Sequence, residues 1–311
     1  MFSVIFPGQG SQLVGMGKEF FEKYDLVKKL FKEADDELGF PLSKIILEGP
    51  KEKLDLTENT QPAIFLISYS IFKVITSEFN IDLTKAKYFA GHSLGEYSAL
   101  SSAGYLAFSD TIKLLRIRGV AMQNAVPEGE GGMIAILGST VESIEKILRQ
   151  NDGNFQADIA NDNSEGQIVL SGKNSDLNQI IDILKLKKIK NIKLPVSAPF
   201  HCKLMSKATE VMKNEIEKTD FQDSKVKLIS NVTANEISNK DELKRLLVDQ
   251  IENRVRWRES ILIMINKGVD HFIEVGPGKV LSGLVKRINK TVKINTINSE
   301  NDIKGLKIWK I

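Results

Sequence analysis

Glycines two residues either side of a serine, in Gly91-His92-Ser93-Leu94-Gly95, give a hydroxyl the surroundings of a nucleophile. Such glycines let the backbone bend sharply between a strand and a helix, lifting the serine above a sheet with a helix N-terminus behind it, where negative charge is favoured. As a five-residue pattern this is a weak signal. It gains weight from its flanks, Lys87 to Ala90 as a short strand and Glu96 to Ala103 as a helix. A serine nucleophile needs a base, and the chain holds three histidines, His92, His201 and His271. His92 neighbours Ser93, and adjacent side chains on a tight turn point apart, so it suits a pocket wall. His271 opens an apolar strand and reads as a core or strand-end histidine. His201, in the loop Ser197-Ala198-Pro199-Phe200-His201-Cys202, is the candidate base, because loops at crossings between elements carry function.

The third member of such a constellation is open. Asp158, Asp162, Asp176 and Asp182 lie between Ser93 and His201, but none has a strand-end setting. A carbonyl oxygen could orient the imidazole instead, fixing its tautomer while stabilising the imidazolium less than a carboxylate does. The loop Pro7-Gly8-Gln9-Gly10-Ser11-Gln12 lacks the third glycine of a dinucleotide fingerprint, since position 13 is Leu13. It can aim a backbone N–H at an oxyanion, and Gln12 paired with Leu94 is the expected donor set. Arg118 has two readings: a carboxylate clamp, or a solvated helix arginine like Arg116, which pattern alone favours.

The elements that must position these residues follow from periodicity and turn signals. Met1 to Phe6 reads as a core strand ending at Pro7-Gly8. Ala63 to Ile75 reads as a buried helix capped by Asn59 or Thr60, with Pro62 in its first turn; it falls short of the ~20 apolar residues of a bilayer span. A helix from Ser109 to Asn124 carries Arg118. From Met133 the texture changes to short elements in the order βαββαβ: strands 133–137, 155–160, 167–171 and 190–194, helices 141–149 and 176–184. This is the order of a ferredoxin-like unit, inserted into a larger α/β pattern that resumes at Pro195. Expected there are helices 203–217, 241–250 and 257–266 and strands 226–230 and 271–275, the last ending at Gly276-Pro277-Gly278. Lys304 to Ile311 reads as a surface tail. The fold expectation is α/β: a parallel-sheet domain (1–128 and 196–311) interrupted by the ferredoxin-like subdomain (129–195).

Composition narrows the chemistry further. With 311 residues, 42% hydrophobic and 27% charged, the chain can bury a sizeable core and has no signature of disorder. One cysteine, Cys202, excludes an intrachain disulfide and any multi-cysteine metal site and suits a reducing cytoplasm. The amino terminus does not read as a signal peptide. A net charge of +3 makes no case for nucleic acid and tolerates an acidic partner; no membrane partner is expected.

Five separated motifs together carry a resemblance: Phe6 to Gln12, Gly91 to Glu96, Arg118 after Leu114-Leu115-Arg116-Ile117, Pro199-Phe200-His201, and Glu274-Val275-Gly276-Pro277-Gly278. In order and spacing they resemble the malonyl-CoA:acyl carrier protein transacylases of bacterial fatty acid synthesis, over about residues 1 to 300. The resemblance implies an α/β-hydrolase-like domain with a ferredoxin-like insertion, and malonyl transfer from malonyl-CoA to acyl carrier protein by a ping-pong route. It needs no cofactor or metal. Ser93 matches the acylated serine, His201 its base, and Gln250 the residue whose main-chain carbonyl holds the histidine. Gln12 and Leu94 match the oxyanion donors and Arg118 the arginine that takes the malonyl carboxylate, against its pattern reading. Phe200 matches the malonyl-selecting form of its loop, and His92, Met122 and Asn161 the acyl-pocket walls. Acyl carrier proteins are acidic, which makes Lys185, Lys187, Lys188, Lys190 and Lys193, or Lys286 with Arg287, candidate docking positions. The rival readings are a trans-acting polyketide acyltransferase and a thioesterase-type hydrolase.

Overall fold

Ser3, Val4, Ile5 and Phe6 are wholly buried, as a strand covered on both faces requires, and their strand β1 (Phe2–Phe6) lies inside a six-stranded sheet. The computed structural model describes residues 1–149, 155–196 and 198–306. The sheet runs in the order β10-β9-β1-β2-β7-β8, with β2 (Tyr88–Gly91), β7 (Leu228–Ile229), β8 (Glu236–Ile237), β9 (His271–Val275) and β10 (Lys293–Ile297). All its pairs are parallel except β7 with β8. Four helices precede the long central one: α1 (Lys18–Lys23), α2 (Asp25–Leu38), α3 (Leu42–Glu48) and α4 (Lys51–Asp55).

The central helix α5 (Thr57–Ser77) is buried along most of its length. Asn59 and Thr60, expected as its caps, lie inside its first turn. Their side chains donate backwards to the carbonyls of Lys53 and Leu54, at 2.7 and 2.5 Å, tying α4 to α5. Leu56 occupies the cap position without a side-chain hydrogen bond, and Pro62 sits one turn further in than expected. Next come α6 (Gly95–Ser102) and α7 (Phe108–Asn124). Gly119 of α7 approaches so close that a Cβ there would lie 2.6 Å from the Glu58 Cα, so α7 packs tightly on the start of α5.

A second, antiparallel sheet follows, in the order β4-β5-β3-β6, formed by β3 (Gly131–Leu137), β4 (Ala157–Ser164), β5 (Gln167–Lys173) and β6 (Lys190–Lys193). Helices α8 (Val141–Leu148) and α9 (Asn174–Leu186) close a separate core on it, with Ile134, Ile136, Ile144, Leu170, Ile180 and Leu184 inside. β4 starts two residues later and ends four residues beyond the expected 155–160, because Asn161, Asp162, Asn163 and Ser164 all continue the strand in buried positions. The strand tip is where the two sheets are joined: Val255 donates to the Ala160 carbonyl (2.8 Å), Asp162 to the Val255 carbonyl (3.0 Å), and Arg258 grips the buried Asp162 carboxylate with Nε and Nη2.

The chain returns through α10 (Ser206–Lys218), α11 (Lys240–Asp249), α12 (Trp257–Asn266), α13 (Val280–Ile288) and α14 (Glu300–Leu306). The strand expected over 226–230 is only two residues long. Lys304 to Leu306, expected in a surface tail, end α14, whose Ile303 and Leu306 are buried; the rest of that stretch lies outside the described residues. No helix among the described residues is long and apolar enough to cross a membrane.

Candidate acyl-transfer site

The turn between β2 and α6 places Ser93 at φ 54°, a left-handed conformation that a serine adopts only where its surroundings impose it. The flanking glycines are there for space. A Cβ on Gly91 would overlap the Gly95 carbonyl group, and one on Gly95 would overlap the Phe6 carbonyl oxygen and lie 2.8 Å from that of Pro7. Asn231, just past β7, spans the turn: its Oδ1 accepts the Ser93 N–H (2.7 Å) and its Nδ2 donates to the Gly91 carbonyl (2.7 Å).

The Ser93 hydroxyl lies 2.8 Å from His201 Nε2, and His201 Nδ1 lies 2.8 Å from the main-chain oxygen of Gln250. A carbonyl can only accept, so Nδ1 carries the ring proton and Nε2 is free to take the serine's. Burial, with the nearby Arg118 charge adding to it, pushes the His201 pKa down from 6.5 to about 3, so the ring is neutral at physiological pH. None of the four aspartates weighed from sequence contacts it: Asp162, for one, is engaged by Arg258 and Asp158 accepts from the Lys203 N–H.

Arg118 is buried rather than solvated, and its guanidinium is held by amides. Nη1 donates to Gln61 Oε1 (2.7 Å), and Nη2 donates to Gln250 Oε1 (2.9 Å) and to the Ser93 hydroxyl (3.2 Å). It also lies 5.7 Å from the Tyr97 ring centre, within cation–π range. Arg116, by contrast, pairs with Glu58 and Asn59 at the half-buried edge of the same helix.

A cleft of about 410 Å³ opens on this group, lined among others by Gln12, His92, Met122, Asn161, Phe200 and His201. Gln61 Nε2 lies 3.8 Å from the Met122 sulfur. His92 Nε2 lies 2.8 Å from Asn163 Oδ1, with its ring beside Trp257, so it does not serve Ser93; burial lowers its pKa. Leu94 and Gln250 are buried and do not line the cleft. The Leu94 N–H, at the start of α6, and the Gln12 N–H have no acceptor among the described residues. The Gln12 side chain turns away to Asp55 (2.9 Å) and accepts from the Gly10 N–H. Among the described residues no cluster of three or more His, Cys, Asp or Glu side chains could hold a metal.

Sequence reasoning missed Asn231, Gln61, Asn163 and the buried Glu96. Glu96 had a signal, since it closes the Gly91-to-Glu96 motif, and Asn231 had a weaker one, since it directly follows the strand expected over 226–230. The others are ordinary polar residues inside a helix and a strand.

A parallel-sheet α/β fold with a serine hydroxyl bonded to a neutral imidazole, beside a buried cation, defines a class, that of the acyl-transfer proteins. The chain belongs to the acyl transferase domain family, which it matches over residues 3–304. It is 43% identical to the malonyl CoA-acyl carrier protein transacylase of Bacillus subtilis, covering 96% of this chain and 98% of that one. The crystal structure of the acyl-carrier-protein-S-malonyltransferase from Bartonella henselae superposes with a TM-score of 0.95 at 42% identity, covering 100% and 99% of the two chains. A malonyl-transacylase solved in complex with a type II PKS acyl-carrier protein superposes with a TM-score of 0.93 at 36% identity, covering 97% of each.

Proposed function

We propose that this enzyme moves the malonyl group of malonyl-CoA to the phosphopantetheine thiol of acyl carrier protein, in the cytoplasm and in fatty acid synthesis, by way of a malonyl ester on Ser93. The observation that carries the reading is the buried Arg118 guanidinium within 3.2 Å of the Ser93 hydroxyl. An acyl group bearing a terminal carboxylate is the substrate that pairs this charge while presenting its thioester to the serine. Ser93 Oγ attacks the thioester carbon, and His201 Nε2 takes the serine proton. The tetrahedral oxyanion rests on the N–H groups of Leu94 and Gln12. As the C–S bond breaks, His201 returns the proton to the departing coenzyme A thiol. The carrier thiol then reverses these steps. Gln250 holds the imidazole through its carbonyl, while Phe200, Met122, His92 and Asn161 bound the acyl pocket. No cofactor or metal enters the cycle.

In architectural terms the same reading assigns residues 1–128 and 196–311 to an α/β-hydrolase-like domain and 129–195 to a ferredoxin-like subdomain. The two helices on one face of a sheet ordered β4-β5-β3-β6 support it. The five lysines from Lys185 to Lys193 and the Lys286–Arg287 pair are exposed and available to an acidic carrier.

Intact-mass measurement after mixing with malonyl-CoA is expected to give one malonyl adduct, absent from Ser93→Ala. Release of free malonate without an adduct would instead identify a thioesterase-type hydrolase. Arg118→Ala should lower malonyl transfer about a hundredfold while acetyl transfer stays equal or rises. A parallel loss of both would mean that Arg118 does not read the carboxylate. Because one similar structure holds a type II PKS carrier, transfer rates to fatty-acid and polyketide carriers separate the fatty-acid role from a trans-acting polyketide one.

A further inference from the structure

Glu96, the second residue of α6 and three residues after Ser93, is 2% exposed and does not line the cleft. Its carboxyl Oε2 accepts from Gln250 Nε2 at 2.5 Å. That same Nε2 donates to the Ser93 carbonyl at 3.1 Å, and Gln250 Oε1 accepts from Arg118 Nη2 at 2.9 Å. An amide can present its oxygen to the guanidinium only while its nitrogen has acceptors on the other side; these are Glu96, the Ser93 carbonyl and, at 3.5 Å, Asn231 Oδ1, and the bond to Glu96 is the shortest of the three. Arg118 makes no direct ion pair with any carboxylate among the described residues; amide oxygens and the Ser93 hydroxyl hold it. Its charge is therefore left for an incoming ligand, and Glu96, one amide away, is the nearest acidic group in its hydrogen-bond network.

We infer that Glu96 is a positioning residue for the recognition of carboxylated acyl groups: through the Gln250 amide it aims the Arg118 guanidinium at the substrate carboxylate. The inference rests on the reading of Arg118 as the malonyl clamp. Burial supports it, pushing the Glu96 carboxyl up to about 8 against the opposing pull of the Gln250 hydrogen bond and the Arg118 charge. The titratable groups bearing on this pair are Arg118 of α7, Tyr97 of α6 and His201 of the loop before α10; α11 ends in the Gln250 amide, and Asn231 faces it from the segment after β7. Below about pH 8 Glu96 is protonated and the malonyl carboxylate meets a lone cation. Above it a second anion shares the cation's field, and malonyl binding weakens while acetyl binding does not.

Steady-state kinetics of full-length Glu96→Ala, Glu96→Gln and Arg118→Ala with malonyl-CoA and acetyl-CoA, from pH 6 to 9.5, test this. Glu96→Ala should raise the KM for malonyl-CoA about tenfold with a smaller change in kcat, and leave the acetyl KM within about twofold. Glu96→Gln, which keeps the acceptor and is neutral at every pH, should recover most of that loss at pH 7 and abolish the alkaline rise in malonyl KM. Equal losses for malonyl and acetyl in Glu96→Ala, or an alkaline rise that persists in Glu96→Gln, would overturn the inference. If Arg118→Ala itself fails to separate the two substrates, the clamp reading has failed, and that outcome is distinct from a failure confined to the Glu96 variants.

Discussion

Asn231 holds both ends of the serine turn with one side chain, and the left-handed Ser93 depends on such a clamp. Replacing it by alanine strands the buried Ser93 N–H and Gly91 carbonyl. Asn231→Ala is expected to cost about 1–3 kcal/mol of stability and to lower kcat by tenfold or more, because the hydroxyl loses its aim at His201. Urea unfolding and malonyl transfer measured together check this; normal kinetics would show that Gly91 and Gly95 suffice. His201 carries a pH signature of its own. Its native pKa near 3 lies below the ordinary 6.5, so kcat/KM should lack the acid limb of a free imidazole and fall only in more acidic solution. The same shift governs stability: between those values the unfolded ring binds a proton that the native ring refuses. The contribution is complete above about 6.5 and is lost as pH falls toward 3. Wild type should therefore lose more unfolding free energy than His201→Ala between pH 7 and pH 4.

At the scale of elements, glycine spacing has the clearest physical content. Gly95 lets α6 start directly against the β1 backbone, and a methyl group there would collide with the Phe6 and Pro7 carbonyl oxygens. Gly95→Ala is expected to destabilise the fold by several kcal/mol or to abolish soluble expression, whereas alanine at exposed, open Gly283 on α13 should be neutral or stabilising. Thermal melts of the two variants make the comparison. The strand-turn-helix unit around Ser93 is legible in sequence for this reason, since a close approach demands glycine locally. The partnership of Ser93 with His201 is legible by exclusion among three imidazoles. Gln250 is not legible from the residues alone: its carbonyl belongs to every residue type, and only the resemblance pointed to it. The end of β4 is not legible in sequence, because Asn161 to Ser164 are polar residues whose partners lie far along the chain. Asp162 and Asn163 are satisfied by Arg258 and His92, residues 96 and 71 positions away. The start of α5 at Thr57 differs from the expected cap at Asn59 or Thr60 because those side chains serve α4's carbonyls instead of their own helix.

On the scale of the whole molecule, the candidate cleft lies where the antiparallel sheet meets the parallel-sheet body, and it takes lining residues from both. Ser93, Arg118 and His201 come from the parallel-sheet body, whereas Asn161 and Met133 come from the antiparallel sheet. The bodies share an apolar face through Met133, Ala135, Ala160 and Val169, and a polar joint at the tip of β4, made by the Ala160 and Asp162 backbone bonds to Val255 and by the Asp162–Arg258 pair. Asp162 is only 1% exposed, so removing its cation leaves a buried carboxylate without its charge partner, a more severe change than losing a surface pair. Arg258→Ala is expected to cost about 3 kcal/mol, seen as a lower urea midpoint. Because β4 also carries Asn161 into the cleft and Asn163 to His92, the loosened joint should raise the KM for malonyl-CoA several-fold. Ser93 should still be acylated, since its partners His201, Gln250 and Asn231 all lie in the larger body. Double replacement Asp162→Asn with Arg258→Met removes both charges and should recover much of the lost stability. If the double variant is as unstable as Arg258→Ala, the cost lies in packing around the β4 tip and not in the stranded charge.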